Sequence, residues 1–217
     1  MIKVCGMRDP ENIRRVEALD IDCLGLIFYT PSPRYVSGNN EQIEAIGCCA
    51  KKRAGVFVNE SPDVILEKAK IFQLHFLQLH GSETADLCQT LRQHGYFVIK
   101  TLSIASATDF YQTEKYQDSC DYFLFDTKCT GYGGSGKRFD WSLLAYYQGE
   151  TPFLLSGGLR PDSMDELKHI KHPRWAGVDL NSGFELFPAM KDVGLLKDFV
   201  SGFRRPVEDY YPENSYI

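Results

Sequence analysis

Two residues of this chain carry side chains suited to moving protons, and each closes a short apolar run. Cys5 ends Ile2-Lys3-Val4-Cys5, directly before Gly6. As a thiolate it would serve as a base or a nucleophile, which requires a lowered pKa. Asp126 ends Tyr122-Phe123-Leu124-Phe125-Asp126. A carboxyl kept protonated there would supply the matching acid. A third group, Arg34 in Ser32-Pro33-Arg34-Tyr35, offers a planar fork that fits a carboxylate. Two glycine-rich segments, Ser156-Gly157-Gly158-Leu159 and Asn181-Ser182-Gly183-Phe184, let the backbone approach an anion and aim N–H groups at it. Asn181 or Ser182 is placed to cap a short helix whose free N–H groups would face the same point. His80 and Lys100 close two more apolar runs, Lys100 as a Schiff-base candidate and either as a pocket wall. Each residue also has a plain structural reading: a small core thiol, a turn aspartate, a solvated arginine, ordinary strand-ending glycines.

What must position these groups is a repeating unit. Apolar runs at 2–5, 23–28, 54–58, 75–79, 97–100, 122–126, 152–155 and 177–180 predict strands. Their starts recur every 20–30 residues or so, the length of one strand–helix unit. Several are almost continuously apolar, as parallel strands covered on both faces must be. Helix starts lie between them. Asp9-Pro10 and Ser61-Pro62 pair a capping side chain with a first-turn proline, and Pro161 opens another amphipathic stretch. Eight strands and at least seven helices in alternation predict an α/β chain folded as a single-domain (β/α)8 TIM barrel, with an open doubly wound sheet as the rival. In a barrel the strand C-termini form the mouth, and phosphate sites lie after strands 7 and 8. That rule puts Cys5 and Asp126 on one ring and both glycine segments at the phosphate position.

Composition narrows the classes. With 24 Lys and Arg against 29 Asp and Glu, the net charge is −5, and the longest basic block is Lys51-Lys52-Arg53. No nucleic-acid footprint follows, so any anion site is local. Seven cysteines, with no CxxC, no signal-like start and no long apolar run, predict a cytoplasmic, reduced protein that neither spans nor binds a membrane. The histidines lack metal-ligand spacing, so no metal is expected. Gly131, Gly133 and Gly136 satisfy GxGxxG, and Lys137-Arg138 nearly completes a phosphate-loop pattern. Arg138 replaces the required Ser or Thr, and the motif does not follow its strand at once, so a flexible loop over the mouth is the better reading. The barrel is expected over residues 1–203, with residues 204–217 as a tail packed on it or disordered.

Eight ordered segments carry a resemblance across residues 1–203. They are Lys3-Val4-Cys5-Gly6, Ser32-Pro33-Arg34-Tyr35-Val36, Gly55-Val56-Phe57-Val58-Asn59, Gln78-Leu79-His80-Gly81, Phe125-Asp126-Thr127, and Gly133-Gly134-Ser135-Gly136 with Phe139-Asp140-Trp141. Ser156-Gly157-Gly158-Leu159 and Val178-Asp179-Leu180-Asn181-Ser182-Gly183-Phe184-Glu185 complete the set. Together they resemble the phosphoribosylanthranilate isomerase family of tryptophan biosynthesis. The resemblance implies an Amadori rearrangement of N-(5-phosphoribosyl)anthranilate to 1-(2-carboxyphenylamino)-1-deoxyribulose 5-phosphate, without a cofactor. It implies Cys5 as general base, Asp126 as general acid and Arg34 on the anthranilate carboxylate. Gly157, Gly158, Ser182 and Gly183 would hold the phosphate, and Asp179 the sugar hydroxyls. The only implied partner is the phosphosugar, bound by a monomer or homodimer. Gly6-Met7-Arg8 and Leu180-Asn181 depart from the family's usual residues, which touches the rim beside Cys5 and one phosphate contact. Competing readings are another phosphosugar isomerase or epimerase, a Schiff-base aldolase through Lys100, and a noncatalytic phosphosugar-binding barrel.

Overall fold

Each apolar run forms a strand because it can bury both faces, one inside a ring of strands and one under helices. The computed structural model describes residues 1–127 and 138–204. Its strands are β1 (Ile2–Val4), β2 (Cys23–Ile27), β3 (Lys52–Phe57), β4 (Phe76–Leu79), β5 (Phe97–Ile104), β6 (Tyr122–Thr127), β7 (Phe153–Leu155) and β8 (Trp175–Leu180). They pair in parallel and in chain order, and β8 pairs with β1 to close the barrel. The closing register sets Lys3 beside Asp179 and Val4 beside Leu180.

Inside the barrel floor, Cys23, Ala54, Phe76, Ile99, Leu124 and Leu154 form one buried cluster. A larger apolar cluster fills the layer between strands and helices. Helices α1 (Pro10–Glu17), α2 (Asn40–Gly47), α3 (Pro62–Ile71) and α4 (Ala85–Gln93) follow the first four strands. The expected caps are in place: Asp9 accepts from the Asn12 N–H at 2.8 Å, and Ser61 from the Val64 N–H at 3.4 Å. A one-turn α5 (Met164–Leu167) follows β7, and α6 (Val193–Arg204) follows β8.

The alternation is less regular than the pattern predicts. After β5 and β6 the chain forms 3-10 helices, Ala107–Lys115 and Trp141–Tyr146. Phe110 and Thr113 of the first, and Tyr116 just past its end, are buried, a spacing of three that suits a 3-10 turn. Strand β5 also runs past Lys100 to Ile104, since Thr101-Leu102-Ser103-Ile104 keeps pairing with β6 as far as Thr127. A hairpin of β9 (Glu185–Phe187) and β10 (Met190–Lys191), not anticipated from sequence, follows β8. Asn12 of α1 pins it: its side chain takes the Lys191 N–H at 2.8 Å and donates to the Lys191 carbonyl at 2.9 Å. Across the barrel floor, Arg204 of α6 reaches Asp22 at 2.7 Å, and Asp22 accepts the Ile2 N–H at 2.6 Å. Most of the expected tail and the GxGxxG glycines lie outside the described residues. Among those described, no helix is long and apolar enough to cross a membrane.

Candidate active site

Side chains alternate along a strand, so residues two apart share a face. Leu124 faces the barrel interior, hence Asp126 does too, one layer nearer the mouth. Lys3 lies inside beside Asp179, and Cys5 stands two residues above it. Of the residues singled out from sequence, eight given site roles line one cavity at the mouth: Cys5, Arg34, Asp126, Gly157, Gly158, Asp179, Ser182 and Gly183. Its wall on the β2–β3 side is apolar, with Ile27 and Val56 as register partners and Val58 above.

The two glycine turns meet. Gly157 and Gly158 have φ of +83° and +66°, and a Cβ on Gly157 would stand 2.6 Å from Asp126 Oδ1. Glycine here therefore makes room for the carboxyl as well as opening the turn. A Cβ on Gly183 would collide with the Leu159 carbonyl, so the turn after β8 packs directly on the turn after β7. The helix capped by this second turn is a single 3-10 turn, Ser182–Phe184. Asn181 does not cap it; its Oδ1 accepts from Lys191 Nζ at 2.8 Å.

Burial pushes the Asp126 carboxyl up to about 6, with Asp179 adding to the rise against the Thr127 N–H and Lys3. The Thr127 N–H donates to Asp126 Oδ1 at 2.8 Å. This is the environment a carboxylic acid needs to hold its proton. Cys5 behaves differently from the expectation. Burial pushes its thiol above the ordinary value, and the Lys3 ammonium only partly offsets that. The site thus holds a thiol, because a cation near a buried sulfur does not replace its lost hydration.

Lys3 and Asp179 form a buried pair at 2.8 Å, with side chains 0% and 5% exposed. Burial alone would lower the Lys3 ammonium, yet the Asp179 carboxylate beside it moves it upward overall. Arg34 is engaged as well. Its Nε donates to Glu185 Oε1 at 2.9 Å and its Nη2 to Oε2 at 2.6 Å. Lys191 Nζ reaches the same carboxylate at 2.6 Å. Burial would raise Glu185, but the two cations hold it below its usual value.

His80 lines the cavity, with Nε2 3.6 Å from Asp126 Oδ2. Burial, reinforced by Lys100 and Lys3, lowers its pKa to about 4, so the ring is neutral at pH 7. Lys100 is absent from the mouth. It alternates with the inward-facing Ile99, so it points outward, where Nζ donates to the Leu79 and Gly81 carbonyls and pairs with Glu83 at 3.1 Å. A Schiff-base role has no access to substrate there. Sequence reasoning assigned nothing to Gln78, Glu185 or Lys191. Glu185 stood in a quoted segment and Gln78 two residues before His80, whereas nothing marked Lys191.

A carboxyl, a thiol, an arginine fork and two meeting glycine turns thus share one cavity at the mouth of a closed parallel barrel, the arrangement of a (β/α)8-barrel enzyme. The family model described as N-(5'phosphoribosyl)anthranilate (PRA) isomerase matches residues 2–202. An N-(5'-phosphoribosyl)anthranilate isomerase of Parabacteroides distasonis is 50% identical over 208 residues, covering 95% of this chain and 94% of that one. The crystal structure of phosphoribosyl anthranilate isomerase from Thermotoga maritima is 35% identical, with a TM-score of 0.80 over 93% of this chain and 97% of that one. A further phosphoribosyl anthranilate isomerase structure, in complex with reduced 1-(o-carboxyphenylamino)-1-deoxyribulose 5-phosphate, is 32% identical, with a TM-score of 0.77 over 93% and 96%. The chain belongs to the N-(5'-phosphoribosyl)anthranilate isomerase family.

Proposed function

We propose that this protein is the isomerase of tryptophan biosynthesis that converts N-(5'-phosphoribosyl)anthranilate to 1-(2-carboxyphenylamino)-1-deoxyribulose 5-phosphate, with Asp126 as general acid and Cys5 as general base. The observation that carries the assignment is the shared cavity: a carboxyl raised to about 6 on β6 and the thiol of the residue just past β1 line it together.

Protonated Asp126 donates to the furanose ring oxygen as the C1–O bond breaks, which opens the ring to an iminium. The C2–H bond is then acidified by that cation. Cys5, present as the thiolate in the active form, takes the C2 proton; the electron pair of the C–H bond becomes the C1–C2 double bond as the iminium π pair returns to nitrogen, which gives an enolamine. Tautomerisation of the enolamine gives the ketone. The positive charge that lowers the thiol's cost of ionisation comes from the substrate, with Lys3 below it. No cofactor takes part in these steps.

Arg34 holds the anthranilate carboxylate through the guanidinium edge that Glu185 leaves open, and the ring packs on Ile27, Val56 and Val58. Gly157, Gly158, Ser182 and Gly183 hold the phosphate through backbone N–H groups. Asp179 accepts a sugar hydroxyl at the oxygen that does not bind Lys3. Cys5 must stay reduced for this chemistry, in keeping with a cytoplasmic setting. A spectroscopic assay with freshly prepared phosphoribosylanthranilate tests the assignment. The wild type turns over and Asp126→Asn loses at least about 100-fold in kcat. No wild-type turnover would refute the function; an active Asp126→Asn would refute the acid.

A further inference from the structure

Gln78 sits on β4 between Phe76, in the barrel floor, and His80, at the mouth. It lines the cavity although only 1% exposed. Its Nε2 lies 3.2 Å from Thr101 Oγ1 and 3.2 Å from His80 Nδ1. Both amide N–H donors are thereby spent, and Oε1 is buried with no partner among the described residues. A polar side chain held with its carbonyl bare marks a constraint that outweighs its own hydrogen bonding. A neutral imidazole that accepts at Nδ1 carries its proton on Nε2. The reversed amide would make Nδ1 the donor and aim the Nε2 lone pair at the Asp126 carboxylate, 3.6 Å away.

We propose that Gln78 is a positioning residue for the acid: it locks His80 as the Nε2–H tautomer, so that a neutral ring N–H faces the carboxylate left on Asp126 when its proton goes to substrate. Oδ1 of Asp126 already accepts the Thr127 N–H, so Oδ2, the oxygen facing His80, is the one that gains and loses the proton. At 3.6 Å the ring N–H is poised short of a hydrogen bond and closes on the carboxylate as charge develops. Neutrality of His80 is kept from several sides. Lys100 from β5 and Lys3 from β1 oppose a charge on the ring, and Glu83 favours one. Asp126 in turn faces Asp179 from β8 and Lys3. The proposal rests on the assignment of Asp126 as acid.

Long-range proton–nitrogen NMR of His80, with kcat–pH profiles for Gln78→Glu and Gln78→Leu, tests it. The wild type shows Nε2–H at pH 7 and a His80 midpoint near 4. Gln78→Glu, which has no N–H to give, moves the proton to Nδ1 and raises that midpoint. In both variants kcat falls up to about 100-fold while KM stays within about twofold, as loss of orientation predicts. The kcat–pH limb assigned to Asp126 also moves upward. A His80 that keeps Nε2–H in both variants, or a kcat and pH profile that do not move, overturns the proposal. The NMR arm needs no substrate, so an inactive wild type would count against the isomerase chemistry while the tautomer still decides the positioning role.

Discussion

Glu185 grips one edge of the Arg34 guanidinium, Nε at 2.9 Å and Nη2 at 2.6 Å, and Arg34 lines the cavity. An arginine on a loop would otherwise sample many rotamers. The bidentate grip fixes its plane, and Lys191 on the far side of Glu185 keeps the cluster net positive.

This relationship predicts a binding defect without a chemical one. Glu185→Gln keeps the shape and removes the charge that orients Arg34. KM for phosphoribosylanthranilate rises about tenfold, or about 1.4 kcal/mol, with kcat nearly unchanged. Steady-state kinetics reads this directly. A fall in kcat at constant KM would place Glu185 in the chemical step instead.

The Lys3–Asp179 pair predicts an asymmetry in stability. Lys3→Met leaves a carboxylate buried without its cation and costs about 3–5 kcal/mol. Replacing both, as Lys3→Met with Asp179→Leu, costs less because neither charge remains buried. Urea unfolding of the three proteins measures the difference. A double variant less stable than Lys3→Met would show that the pair is not what the single substitution breaks.

Asp126 ties stability to pH. Its folded pKa of about 6 lies above the ordinary aspartate value of 3.8, so between these values the native state binds more protons than the unfolded one. Stability therefore falls as pH rises through this window and stays lower above it. Asp126→Asn, which cannot ionise, is more stable than wild type at pH 8 by up to about 3 kcal/mol, and the gap closes toward pH 4. Chemical denaturation at several pH values checks the sign. A gap that widens on acidification would contradict the raised carboxyl.

Cys5 predicts reactivity and rate profile together. With its thiol raised, the ligand-free protein alkylates Cys5 slowly at pH 7 and faster only in the alkaline range, as peptide mass spectrometry after iodoacetamide will show. The active form, acid protonated and base ionised, is then a minority species. Accordingly kcat/KM rises to pH of about 6, stays level, and falls only when Cys5 ionises. Rapid alkylation at neutral pH would reverse this order of ionisation.

Much of the fold was written locally. Asp9-Pro10 and Ser61-Pro62 mark helix starts because capping geometry depends on neighbours three residues away, and both caps are present. Each predicted strand exists, since apolar runs of this length have one good way to bury both faces. The tight 3-10 turns after β5 and β6 were hidden because a spacing of three and one of 3.6 scarcely differ over so few residues. The hairpin was hidden because its pinning partner, Asn12, lies in α1, at the other end of the chain.

The sequence alone determined the eight strands and most of their bounds, and favoured a barrel over an open doubly wound sheet, because strand length, periodicity and turn chemistry are short-range properties; closure of the ring and the true end of β5 came from pairing. Eight site residues could be named from it and all reach one cavity. Tertiary structure decided their electrical states. The Cys5 thiol is raised and the Asp126 carboxyl poised near 6 because burial and distant charges set them. Lys100 points outward because it alternates with Ile99, whose inward face only the closed ring's register fixes. The Glu185 grip on Arg34 spans 151 residues of chain. Desolvation and long-range contacts exist only once the ring closes, so no local pattern encodes them.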